Sequence, residues 1–283
     1  MVIDRPRAVR ALTALLFATA AATVVVEVLN FRYAPEHGAG LAVRTGWALV
    51  RTLGWLLLVR QVNRGRATAR PLGLILAVTT IFAVGRLIVP QTGTPPIPGV
   101  VGFAVLVVLC TTVVVLLYRH PVLRDHLVRH PNRLVLTREG LSVQEGAPRR
   151  APVSGWLLTA RLAAFTYSPL VLVPCLISFG ELGDRPQWLL AVLFWLAAGI
   201  GVSYAVLATT IFLLRGRPAA RRALAWITAW TLALDLPLCY LLLGVDGLIR
   251  DGAPLVAAAG LTLYSLWRAA RAPAAASAGV EVQ

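Results

Sequence analysis

The sequence predicts an all-α, polytopic helical membrane protein of about eight transmembrane helices. They form two parallel four-helix repeats, with both termini on the cytoplasmic side. Three observations predict this: an apolar composition, apolar runs of bilayer-crossing length, and an arginine count that alternates from turn to turn.

The chain is 58% hydrophobic and 14% charged, whereas soluble domains run near ~45–50% and ~25%. So much apolar surface is better dissolved in lipid than buried in one soluble core. The net charge is +15, and all 27 basic residues are Arg. With no Lys present, Schiff-base chemistry is excluded. The Arg residues fall in short blocks between apolar runs rather than along an aromatic-studded groove. That pattern argues against nucleic acid and for anionic lipid headgroups as the counter-charge. Cys110, Cys175 and Cys239 lie inside apolar runs without metal or disulfide spacing, so they read as small packing residues.

A hydrocarbon layer of about 30 Å takes roughly 20 helical residues. Runs of that order occur at Ala11–Leu29, Gly46–Val62, Leu72–Pro90, Gly99–Tyr118, Leu162–Gly180, Trp188–Leu214, Ala223–Leu243 and Gly252–Trp267. The second is interrupted by Arg51, and the last is short after Pro254. Beside the odd-to-even turns stand Arg32, Arg44, Arg185 and Arg250. The other side holds Arg5, Arg7 and Arg10, then Arg60 to Arg70, Arg119 to Arg161, Arg215 to Arg222, and Arg268 with Arg271. Arg-rich short loops stay cytoplasmic, so the termini are expected inside a bacterial cell membrane. Trp188 is expected at an outer edge, Trp156 and Trp267 at inner ones.

The turn Arg64-Gly65-Arg66 recurs as Arg215-Gly216-Arg217, with Arg70 on Arg221 and Arg10 on Arg161. A slightly different offset places Leu117-Tyr118-Arg119 on Leu266-Trp267-Arg268. Spans one to four (residues 1–118) therefore read as duplicated in spans five to eight (156–271). Four is even, so the two units share one orientation about an axis along the membrane normal. The first run resembles a cleaved signal peptide in its basic start and Ala-rich end. A counterpart in the second unit argues that it is retained. The cytoplasmic linker 119–155 carries a short surface-helix pattern, then an alternating hairpin pattern around Arg138-Glu139-Gly140. The tail, 272–283, is small-residue-rich and expected to be disordered.

Ionisable groups in hydrocarbon cost at least ~2.5–3.5 kcal/mol and mark functional sites. The candidates are Asp235, Arg86, Glu27 and Arg51, all in the outer half of the bilayer on this topology. Thr228, Thr231, Asp235 and Cys239 share one helical face, and Thr19, Thr23, Glu27 and Asn30 repeat the theme. Pro237 is expected to break the seventh span. An offset near 149 sets Asp235 against Arg86, suggesting an Arg86–Asp235 pair with Glu27–Arg51 beside it. His126 and His130 are one helical turn apart in the linker but surrounded by Arg, which disfavours a metal. Gly199 and Gly201 lack the strand and third Gly of a dinucleotide fingerprint. No cofactor motif or nucleophile–base dyad is present.

Two functional classes follow. One is small-solute transport or permeation, or a membrane-complex subunit, with a charged site in the outer half of the bilayer. The alternative is a membrane-embedded enzyme acting on a lipid or isoprenoid, with Asp235 as proton donor and Glu27 as the second carboxylate.

Overall fold

The computed structural model describes residues 7–33, 38–85, 96–127, 132–137, 140–145, 155–180, 182–183 and 185–271. The first part of the chain forms α1 (Arg7–Arg32), α2 (Ala39–Asn63), α3 (Ala69–Val84), α4 (Pro96–Arg119) and the short α5 (Pro121–His126). Strands β1 (Asn132–Thr137) and β2 (Gly140–Glu145) pair antiparallel with Thr137 opposite Gly140. Then come α6 (Gly155–Phe165), α7 (Tyr167–Gly180), α8 (Leu189–Leu214), α9 (Pro218–Gly247) and α10 (Ala253–Arg271).

Among the described residues, six helices are long and apolar enough to cross a membrane. They are α1, α2, α4, the α6–α7 segment, α8 and α9. Helix α3 is apolar but shorter. The chain is thus a helical protein suited to a multi-pass place in a bilayer. Lipid offers no hydrogen bonds, so every backbone group must be satisfied within its own helix. Buried hydroxyls follow the same rule. Thr19, Thr23, Thr79, Thr228, Thr231 and Thr262 each donate to the carbonyl four residues back, at 2.7–2.9 Å. Threonine is therefore buried here without needing a partner on another helix.

The core divides into two large clusters. One gathers residues between Val9 and Leu127, with Trp55, Leu58, Cys110 and Leu117 at its centre. The other gathers residues between Ala160 and Leu266, with Tyr167, Trp195 and Leu224 at its centre. Within the first half, α1 packs on α2 and α4, and α3 on α2 and α4. Within the second, α7 packs on α8, α6 on α10, and α9 on α8 and α10. The halves meet where α2 lies on α7 and α3 lies on α6 and α10. Small residues permit that approach: a Cβ built on Gly180 would stand 2.9 Å from the Ala39 Cβ, and one on Gly40 3.3 Å from Ile177.

The two Arg-Gly-Arg turns have one geometry. Gly65 and Gly216 both take positive φ, 65° and 74°, where an L side chain is strained. Each turn closes the preceding helix with the same bonds. Arg64 N–H donates to the Arg60 carbonyl, Gly65 to Val62, and Arg66 to Gln61. Arg215 donates to Ile211, Gly216 to Leu213, and Arg217 to Phe212. These are C-terminal caps that satisfy carbonyls left over at a helix end.

Three features of the seventh and eighth predicted spans differ from expectation. Helix α9 runs through Pro237 and breaks instead at Gly244 (φ 70°, ψ −165°). Proline costs the helix one backbone bond, whereas a positive φ reverses the chain outright. Beyond Gly244 the helix resumes at once and includes a π-turn, Leu248–Gly252, before α10. A Cβ on Gly252 would stand 3.1 Å from the Leu236 side chain, so this segment folds back along α9. The short eighth run is thereby extended upstream to Val245. In the second span, Arg51 does not interrupt the helix. Gly199, read as half of a weak G-x-G, sits within α8 where a Cβ would crowd Val171 and Leu172 at 3.1 Å. Its role is close helix approach.

Candidate functional site: a charged cavity between the halves

Four charged side chains converge where α2 meets the π-turn. Arg44 and Arg51 come from α2, Arg250 and Asp251 from the turn, and all four line one cavity of about 30 Å³. Trp47, Thr79 and Ala83 of α3, Leu170, Val173 and Pro174 of α7, and Pro254 also line it. Such a volume holds a few water-sized groups. An Arg44 Nη2 lies 3.6 Å from an Asp251 Oδ2, with the two side chains 22% and 12% exposed. Arg51 is 4% exposed, and its guanidinium stands 5.5 Å from the Trp47 ring centroid, within cation–π range. Arg51 lies twelve residues into α2, about 18 Å along its axis.

The local sequence explains each position. Arg44 and Arg51 are seven apart, two helical turns, and so share a face. The π-turn widens the helix by one residue and turns Arg250 and Asp251 toward that face; such bulges are frequent at functional sites. Pro174, inside α7, and Pro254, at the start of α10, keep the opposite wall apolar.

Of the three expected site residues that the structure describes, Arg51 alone lines this cavity. Glu27 is 5% exposed and lines a separate groove of about 580 Å³ between α1 and α2, with Val24, Val28, Phe31 and Leu49. Its Oε1 accepts from the Thr45 hydroxyl at 3.1 Å and from the Asn30 amide at 3.5 Å. Asp235, 1% exposed, lies in the contact between α8 and α9. The Trp195 indole N–H donates to its Oδ1 at 2.9 Å, and the Cys239 thiol donates to its Oδ2 at 3.6 Å. Arg86 lies outside the described residues. Glu27 and Asp235 thus belong to different halves. Thr228, Thr231, Asp235 and Cys239 do share one buried face, as do Thr19, Thr23, Glu27 and Asn30.

Arg44 and Arg250 stand beside turns in the sequence reading and Asp251 does not figure in it, so none of the three is among the expected site residues. The sequence hides the arrangement: Asp246-Gly247 and Asp251-Gly252 are turn-type dipeptides, yet the chain after Gly244 resumes as a helix. His126, weighed as a metal ligand, has its Nε2 3.0 Å from the Val62 carbonyl and ties α5 to the end of α2; His130 lies outside the described residues. Among the described residues no group of His, Cys, Asp and Glu is arranged to hold a metal. At the far end of the bundle, Arg268 stands over Trp156 (5.3 Å) and Arg271 over Trp267 (4.0 Å).

No known protein family, curated protein or solved structure matches this chain.

Proposed function

We propose that the protein is an eight-span, N-in and C-in integral protein of a bacterial cell membrane, built from two parallel four-helix units. We further propose that it binds and passes a small inorganic anion at the cavity between them. The observation that carries the functional reading is the lining itself: among the described residues, three guanidinium groups and one carboxylate brought together from both halves.

Burial patterns support the duplication. Val9, Leu12, Leu16, Ala20 and Val26 are buried, and so are Ala160, Ala163, Tyr167, Val171 and Ile177, each 151 positions on. The same offset links Trp55 with Val206, Val62 with Leu213, Ala69 with Ala220, Thr80 with Thr231 and Val84 with Asp235. In the fourth span the offset is 149, linking Leu106 with Leu255, Cys110 with Ala259, Val113 with Thr262 and Leu117 with Leu266. The tight turn at Gly244 accounts for a shorter connection in the second unit. This register sets Asp235 against Val84 rather than Arg86, which removes the symmetry argument for an Arg86–Asp235 pair.

The cavity suits an anion by charge and by size. A unit anion about 5 Å from a guanidinium gains on the order of 3 kcal/mol at an effective dielectric of ~20, and the lining carries an excess of such groups. Intramembrane charges at a repeat interface are where transporters place their sites. The enzymatic alternative needs two carboxylates acting on one substrate, and Glu27 and Asp235 lie in different halves.

The test is efflux of chloride, nitrate or phosphate from proteoliposomes containing the full chain. Protein-dependent efflux of at least one anion is expected, and Arg51→Gln lowers it by roughly tenfold, the worth of about 1.4 kcal/mol. Efflux equal to that of protein-free liposomes for all three anions overturns the reading.

A further inference from the structure

We infer that the protein self-associates in the membrane plane, with the α8–α9 side of one copy seated on the α1–α4 side of the next. The inference rests on the duplication proposed above. Two identical units related by a two-fold axis would meet through the same side of each. Here the α2–α3 side of the first unit meets the α6–α7 and α10 side of the second, which corresponds to the first unit's α1–α4 side. The contact is head-to-tail, so each unit is left with one side of the joint unused. A head-to-tail contact repeated about an axis along the membrane normal generates a ring when the rotation closes.

Side-chain exposure follows this scheme. On α3, which packs on α6 and α10, Ile75 and Thr79 are 3% and 4% exposed. Their counterparts on α9, Trp226 and Trp230, are 68% and 61% exposed. On α10, Pro254 is buried against the first half, whereas its counterpart on α4, Val105, is 45% exposed. Thr79 and Pro254 line one cavity, so the equivalent neighbours across two copies are Trp230 and Val105. Trp230 stands twelve residues into α9, about 18 Å along it, near mid-membrane. Tryptophan favours the headgroup level, where its N–H is wet, over the hydrocarbon centre.

With Cys110, Cys175 and Cys239 replaced by Ala, the full-chain variants Trp230→Cys and Val105→Cys each carry a single cysteine and test the contact in native membranes with a short bismaleimide. Co-expressed, the two variants are expected to give a covalent dimer that neither gives alone, and a chain carrying both changes gives higher species. Cross-linking of either single variant with itself but not with the other means a two-fold dimer and overturns the inference. So does a protein that remains monomeric in nanodiscs and cross-links in no combination. A Thr79→Cys, Pro254→Cys chain serves as the control. Its internal cross-link shows that the halves pack as described, so a negative result between copies then counts against self-association alone. Its failure counts against the packing of the halves.

Discussion

Asp235 shows how a single residue is made compatible with this setting. Its carboxyl group is buried in the second half, and the nearest donors are the Trp195 indole and the Cys239 thiol. A buried acceptor that loses its donor costs about 1–3 kcal/mol. Trp195→Phe is therefore expected to lower the thermal stability of the detergent-purified protein by that amount. Asp235→Asn keeps an oxygen for the indole and is expected to cost less. Equal stability of Trp195→Phe and the unmodified chain, measured by thermal unfolding, would show that the bond contributes nothing. The sequence made the Thr228–Cys239 face visible through its spacing. Trp195 was invisible as a partner because it sits forty residues away on another helix.

At the scale of elements, the two Arg-Gly-Arg turns are the clearest case of sequence dictating shape. Glycine is required because φ is positive at Gly65 and Gly216. Gly65→Ala and Gly216→Ala are each expected to cost about 1–2 kcal/mol, to nearly the same extent, since both turns make the same bonds. Scanning calorimetry or denaturation monitored by circular dichroism reads the two shifts directly, and a large inequality would count against the duplication. The helices were legible as apolar runs because lipid demands length and apolarity from each one independently. The ends of α9 and α10 were not legible. Proline and glycine both break helices in principle, and the choice of Gly244 over Pro237 depends on where the chain must turn to pack Gly252 against Leu236.

For the whole molecule, the alternating Arg blocks make a prediction independent of any site. Cysteines placed singly at positions 64 and 217 are expected to react with a membrane-impermeant maleimide only after the membrane is opened, both from the same side. Labelling of either one in intact cells would remove the proposed topology and with it the parallel duplication. The inter-half cavity belongs to this scale too. It exists only because α2 reaches across to α7 and because the π-turn at Leu248–Gly252 swings Arg250 and Asp251 toward α2.

By itself the sequence determined that the chain is helical and suited to lipid, where most helices run, and which faces they bury. Those properties follow from transfer of individual side chains between water and hydrocarbon, and they sum along the chain without reference to distant residues. Only the tertiary structure decided which charges meet. Arg44 and Arg51 are separated from Arg250 and Asp251 by about two hundred positions in sequence. Their meeting is set by helix crossings that small residues such as Gly40 and Gly180 permit. Glu27 and Asp235, alike in sequence context, were separated by the same packing.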